Sequence, residues 1–173
     1  MSQNERVPYA QARDVAEKFS ASLLSHGIDA FQICGSLRRG RPTIGDVDVT
    51  MTTEAFEAAQ KIIPLITDNG ERTVGTKAKP SKIKAAYLDG MKIEFYVGPA
   101  EGFGALTLFA TGSPKFNIRC RYIATSMGWK LNQYGLWNVA NNQMVCDCSN
   151  EASIIEVLRL GETVLEPMKR EEG

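Results

Sequence analysis

The chain is poor in residues that bind soft metals. Its 173 residues include one histidine, His26, and four cysteines, Cys34, Cys120, Cys146 and Cys148. A structural zinc site takes about four Cys or His ligands at recognisable spacings. His26 is remote from the Cys-x-Cys pair, and that pair sits in NQMVCDC, whose alternation reads as a strand. The strand reading is preferred to zinc. Long apolar runs are absent too, with nothing near the ~18 residues of a membrane span. The opening MSQNERVPYAQARD is polar and lacks the apolar core of a signal peptide. An intracellular protein with no membrane partner is expected. No internal repeat or low-complexity linker occurs. Net charge is missing as well: 20 Lys and Arg balance 20 Asp and Glu, which by itself argues against a nucleic-acid partner.

The distribution of charge reverses that inference. Arg38, Arg39 and Arg41 crowd one turn of sequence. Arg72, Lys77, Lys79, Lys82 and Lys84 form a second basic segment, and Lys115, Arg119, Arg121 and Lys130 a third, none interrupted by an acid. From Asp147 onward seven acids face three bases. Three acid-free basic segments favour a polyanion partner over ordinary solvated surface. The closing EPMKREEG reads as solvated charge. Hydrophobic residues make up 43% of the chain, enough for a core without staples.

The periodicities mix helix and strand. Val15, Phe19, Leu23 and Leu24 recur at helical spacing from Pro8 to about Ser25, with Gly27 as the stop. IDAFQIC and VDVTM read as strands, and EAFEAAQKIIPLI as a helix broken by Pro64. TVGTKAKPSKIKAAYLDGMKIEFYVG reads as strands joined by a loop and an Asp89-Gly90 hairpin turn. GFGALTLFATG and SPKFNIRCRYIATSMG read as helices. WKLNQYGLWNV and QMVCDC read as strands around an Asn141-Asn142 turn. NEASIIEVLRLG reads as a last helix stopped by Gly161. Gly98, Pro99, Gly102 and Gly104 mark a seam near residues 98–104. The expected class is α+β, a mixed sheet with flanking helices followed by a small α+β unit, divided as 1–100 and 101–173.

The chemistry concentrates in GSLRRGRPTIGDVDV. Residues two apart on a strand share a face, so Asp46 and Asp48 aim two carboxylates at one place. Such a pair repels unless a cation sits between them. Hard oxygen ligands suit Mg²⁺. Glu94, alternating with Ile93 and Phe95 in KIEFYV, is the candidate third acid of a two-metal site for phosphoryl displacement. Gly35-Ser36 follows a strand and opens a helix, where backbone N–H groups attract anions. The Ser36 hydroxyl adds a donor, Arg39 a phosphate-matching fork, and Gly45 allows close backbone approach. Each motif alone is weak. Gly-Ser, nine residues, Asp-x-Asp and a later acidic strand together are specific.

At this point GSLRRGRPTIGDVDV resembles the signature of nucleotidyltransferases, specifically family X DNA polymerases, the group of DNA polymerase beta. LFATGSPKFNIRCR is similar to the segment opening that family's thumb, GWKLNQYGLW to the motif that follows, and VPYAQARDVAEKF to the helix before its palm. The resemblance runs from about residue 7 to residue 170. It implies a palm over 1–100 and a thumb over 101–173, in a minimal form without the preceding lyase and helix-hairpin-helix domains. It implies that Asp46, Asp48 and Glu94 hold two Mg²⁺, with Mn²⁺ as a substitute, Glu94 lying nearest the primer 3′-hydroxyl. Gly35, Ser36, Arg39 and Gly45 would bind the triphosphate, and Phe109, Thr111 and Gly112 would line the sugar. Asn117 and Arg121 would meet the minor-groove edge of the nascent pair. Lys77 would contact a DNA phosphate, Lys92 would sit by the primer end, and Lys130 and Tyr134 would be further DNA contacts. Arg38 would point away from the phosphates. Trp129 and Trp137 read as core.

The implied activity is addition of a dNMP from a dNTP to a DNA primer by a monomer, filling short gaps in repair. Two positions in the motifs, one a pair, depart from the family pattern. Glu94 stands where an aspartate is usual, and Phe109-Ala110 replaces Tyr-Phe, which opens ribose discrimination to question. Two alternatives follow: a template-independent or ribonucleotide-tolerant nucleotidyltransferase, and an inactive DNA-binding module.

Overall fold

The computed structural model describes residues 6–68, 72–73 and 84–171. Lys77, and the loop expected around it, lie outside the described residues. A short strand β1 (Val7–Pro8) leads into helix α1 (Tyr9–Ser25). Its buried residues Ala12, Val15, Ala16, Phe19 and Leu23 fall on one face at intervals of three and four. The helix ends where expected, at His26 and Gly27, with Gly27 at φ +74°.

Five strands build the main sheet: β2 (Phe31–Ile33), β4 (Val47–Thr52), β5 (Arg72–Thr73), β6 (Lys84–Leu88) and β7 (Met91–Gly98). Helix α2 (Gly35–Arg38) and strand β3 (Thr43–Ile44), which pairs with β1, lie between β2 and β4. The sheet order is β2-β4-β7-β6-β5. Only β4 and β7 run parallel, which makes the sheet mixed. Their register sets Asp48 opposite Glu94 and Thr50 opposite Tyr96.

The two faces of the sheet do different work. Val47, Val49 and Met51 of β4, with Ile93 and Phe95 of β7, are fully buried against the helices. Phe95 meets the rings of Phe19 and Phe56, each with centroids 5.8 Å away. Asp48, Thr50, Lys92, Glu94 and Tyr96 alternate to the other face. The helix expected to break at Pro64 is two helices: α3 (Thr53–Ala59), capped by the Thr52 hydroxyl accepting from Ala55 N at 3.2 Å, and α4 (Ile63–Ile66). Pro64 sits in the first turn of α4. Its ring would clash with the carbonyl four residues back, at Gln60, so the break falls upstream of the proline.

A second hydrophobic cluster begins after Gly98. It joins helices α5 (Phe103–Thr111), α6 (Pro114–Ser126) and α7 (Glu151–Val157) to a hairpin of β8 (Trp129–Asn132) and β9 (Gly135–Asn138). Gly104 has the Asn150 backbone where a Cβ would be, so α5 lies directly on the start of α7. WKLNQYGLWNV is thus a complete hairpin turning at Gln133-Tyr134. QMVCDC is not a strand: it keeps one bridge, Trp137 to Met144. Val145 N still donates to Leu136 O, but Leu136 N donates to Cys148 Sγ at 3.2 Å, and that sulfur ends the ladder. Helix α7 stops at Val157, short of Gly161, because Arg159 takes a left-handed conformation at φ +54°. The tail read as solvated charge is corrected at Arg170, which is 1% exposed. Trp129 and Trp137 are half-buried, with Trp129 packed against this cluster.

Candidate active site

The polar face of the sheet is roofed by α5. Thr50 Oγ1 and Thr107 Oγ1 lie 3.2 Å apart, both side chains buried. Beside them the β2–α2 turn is fixed by Cys34 N donating to Asp48 O at 2.7 Å. Gly35 adopts φ +62°, and any Cβ there would overlap the Asp48 carboxylate. Only glycine meets both demands. The glycine expected to cradle phosphate is therefore the residue that lets the turn close over an acid.

Asp46, Asp48 and Glu94 are brought close enough to perturb one another. Burial pushes the Asp48 carboxyl up to about 7, and the charge of Asp46 adds to the rise, while the Tyr96 hydroxyl and Arg39 oppose it. Burial also raises Asp46, helped by Glu94 and opposed by Lys92 and Arg6. For Lys92 burial works against the charge, yet the hydrogen bond and charge of Glu94 outweigh it and the ammonium is held above its ordinary range. Lys92 pairs with Glu94 Oε1, and the Tyr96 hydroxyl donates to Glu94 Oε2 at 3.3 Å. Among the described residues no three His, Cys, Asp or Glu side chains already converge as a metal cage. The two oxygens of Glu94 face Lys92 and Tyr96. The donor set nonetheless fits a hard divalent cation. It offers hard carboxylate oxygens whose mutual repulsion a cation would relieve.

The phosphate and sugar candidates adjoin this face. Ser36 and Arg39 are half-buried on α2 and its end. Arg39 donates to the Thr111 carbonyl, and its Nη1 lies 3.1 Å from where a Cβ on Gly112 would be. Thr111 is fully buried: its hydroxyl accepts from Arg38 at 2.7 Å and its carbonyl from Arg39. Arg38 also binds Glu151 at 2.6 Å, in keeping with a structural arginine. Phe109 is 38% exposed and meets Tyr96 edge-on, with centroids 6.4 Å apart at 69°.

Asn117 and Arg121 stand one turn apart on α6. Asn117 Nδ2 donates to Phe109 O at 2.8 Å and Arg121 Nε donates to Asn117 O at 3.1 Å. A cavity of about 50 Å³ opens between Phe109, Asn117, Arg121, Leu131, Asn132 and Gln133. Lys130 is exposed on β8, and Tyr134 is half-buried at the hairpin tip, its carbonyl against Gly102. Neither reaches the carboxylates through any contact described here.

Two residues escaped the sequence reading. Arg6 acts on Asp46 and lines, with Gly45 and Lys92, a cavity of about 430 Å³. Its position in the polar opening gave no signal. Tyr96 shares the face of Glu94, and the alternation that singled out Glu94 also marks it.

Comparison with known proteins agrees with this geometry. Residues 6–83 match the family model of the DNA polymerase beta palm and residues 106–171 that of the DNA polymerase beta thumb. The DNA polymerase/3′-5′ exonuclease PolX of Bacillus subtilis (strain 168) is 26% identical over 145 residues, which cover 82% of this chain and 25% of that protein. DNA polymerase lambda of Rattus norvegicus is 26% identical over 149 residues, covering 76% of this chain and 26% of that protein. The chain spans about a quarter of the length of these curated relatives. With both halves matched in order, the chain belongs to the DNA polymerase beta family, family X, and carries its palm and thumb.

Proposed function

We propose that this protein is a DNA-directed DNA polymerase that adds a dNMP from a dNTP to a primer 3′-hydroxyl, filling short gaps during repair. The observation that carries the reading is the β4–β7 register. It sets Asp48 against Glu94, with Asp46 beside them, at the foot of the Gly35–Arg39 turn. In this reading residues 1–100 hold the nucleotide and the chemistry, and residues 101–173 hold the nascent pair and the duplex.

Asp46, Asp48 and Glu94 would hold two Mg²⁺. When bound, these ions neutralise the charge developing on the phosphoryl oxygens and align the attacking and leaving oxygens. The chain itself supplies position. The backbone of Gly35 and Gly45, the Ser36 hydroxyl and the Arg39 guanidinium would hold the triphosphate, with Arg6 added from the far side of Gly45. Lys92 would sit at the primer end beside Glu94. The 3′-hydroxyl gives up its proton to solvent as its oxygen attacks the α-phosphorus in line; a new P–O bond forms, the bond from the α-phosphorus to the oxygen bridging the β-phosphate breaks, and pyrophosphate leaves. Phe109, Thr111 and Gly112 would border the sugar. Asn117, Arg121 and the cavity beside them would inspect the base pair. Positioning and electrostatics account for most of the acceleration in such a site.

A second reading, a ribonucleotide-tolerant or template-independent transferase, draws support from Phe109-Ala110, which presents neither a hydroxyl nor a second ring to the sugar. Primer extension on a one-nucleotide gapped duplex separates the two, with each dNTP and rNTP offered singly in Mg²⁺ or Mn²⁺. The expected result is incorporation of the complementary dNTP on the gap alone. Equal use of rNTPs, or addition to a single strand, selects the second reading. Duplex binding without incorporation in either metal would mean an inactive DNA-binding module.

A further inference from the structure

Tyr96 has no part in the scheme above, yet it touches more of the site than any other neutral side chain described there. It lies two residues beyond Glu94 on β7 and faces the same way. Its hydroxyl donates to Glu94 Oε2 at 3.3 Å and lies near enough to Asp48 to oppose the rise of that carboxyl. A phenol has one proton to donate, and here it goes to Glu94, the residue paired with Asp48 across the β4–β7 register. Its ring meets the edge of Phe109, on the nucleotide side of the site.

Glu94 explains why such a residue is needed. A glutamate has one more rotatable bond than an aspartate, and freezing it costs conformational entropy. Its neighbour Asp48 repels it. Lys92 on one oxygen and Tyr96 on the other restrict that torsion. Each carboxylate oxygen has two lone pairs, so a cation and a hydroxyl can share one oxygen. Partners that orient metal-binding carboxylates in this manner are worth about 10–100-fold in metal affinity.

We propose that Tyr96 is a positioning residue for the metal site: its hydroxyl holds Glu94 in place opposite Asp48 for the cation, and its ring ties that placement to Phe109. The inference rests on the reading of Asp46, Asp48 and Glu94 as metal ligands. It makes Tyr96 the local adaptation that lets a glutamate serve on β7.

Mn²⁺ binding to the full chain, measured by electron paramagnetic resonance, tests it without relying on turnover. Wild type, Asp48→Ala and Tyr96→Phe are titrated with Mn²⁺ alone, and thermal midpoints are recorded in EDTA. Tyr96→Phe is expected to weaken the Asp48-dependent site by about 10-fold or more while its EDTA midpoint stays close to wild type. An affinity within twofold of wild type would overturn the positioning role and leave the metal assignment standing. Tighter binding would overturn it too, by making the hydroxyl a competitor of the cation. If wild type has no Mn²⁺ site that Asp48→Ala removes, the metal assignment itself fails, and this inference with it.

Discussion

Glu151 joins parts of the molecule that are distant in sequence, and replacing it by glutamine should cost more than any surface charge. Its Oε2 accepts from Arg38 Nη2 at 2.6 Å and its Oε1 from Arg170 Nη1 at 2.8 Å. Arg170 is 1% exposed, sits 5.4 Å over the Phe116 ring, and donates from Nε to Val164 O at 2.8 Å. Glu151→Gln keeps the shape but leaves two guanidinium groups, one wholly buried, without their counter-charge. Removing one partner of a buried ion pair costs about 3–5 kcal/mol. Chains of this size lose about 2–4 °C of midpoint per kcal/mol, so the thermal midpoint should fall by roughly 10 °C. Circular dichroism melts at low and high salt read this directly. The high-salt loss should be nearly as large, because a buried pair is little screened. A triple variant, Arg38→Met with Glu151→Leu and Arg170→Met, removes all three charges and should lose less than Glu151→Leu alone. A Glu151→Gln midpoint within about 2 °C of wild type, under 1 kcal/mol, would refute the claim that this network holds the fold. Because Arg38 belongs to the turn that carries Ser36 and Arg39, Glu151→Gln should also raise the KM for dNTP.

Glu94→Asp should preserve or raise incorporation in Mg²⁺, since it restores the carboxylate position usual in the family; complete loss of primer extension would mean that the site is built around glutamate. Arg121→Ala should widen the misincorporation spectrum in a gap-filling assay more than it raises the KM for the correct dNTP, and an unchanged spectrum would count against its contact with the base pair. In EDTA the fold should lose stability as pH rises. Asp48 is pushed up to about 7 in the fold but titrates near 3.9 in an unfolded chain, so between those values the fold binds more protons and stability falls with pH. The limit is about 4 kcal/mol across the window. Mg²⁺ favours the charged carboxylate and should flatten the slope, as should Asp48→Asn; equal slopes in wild type and Asp48→Asn melts would refute the assignment.

The legible parts of this protein are those that local period decides. Two-residue alternation placed Asp46, Asp48 and Glu94 on one face, and it did so because Val47, Val49, Ile93 and Phe95 must all reach the helices. Helical spacing placed α1 for the same reason. NQMVCDC shows the limit of that method: it alternates, but a single sulfur already occupies the ladder donor it would need. The charges show the limit more sharply. Arg38 and Glu151 are 113 residues apart, and each alone reads as surface. The closing segment reads as solvated charge for the same reason, although Arg170 within it is the largest fully buried side chain described. Composition weighs a charge by its neighbours in sequence, whereas its energy depends on its neighbours in space. An arginine with a carboxylate, a carbonyl and an aromatic ring around it can be buried where an isolated one cannot. The acids after Asp147 therefore do more than offset the basic segments in the net charge. One of them, Glu151, neutralises Arg38 on the Gly35–Arg38 helix, while Arg39, one residue further on, donates to the Thr111 carbonyl.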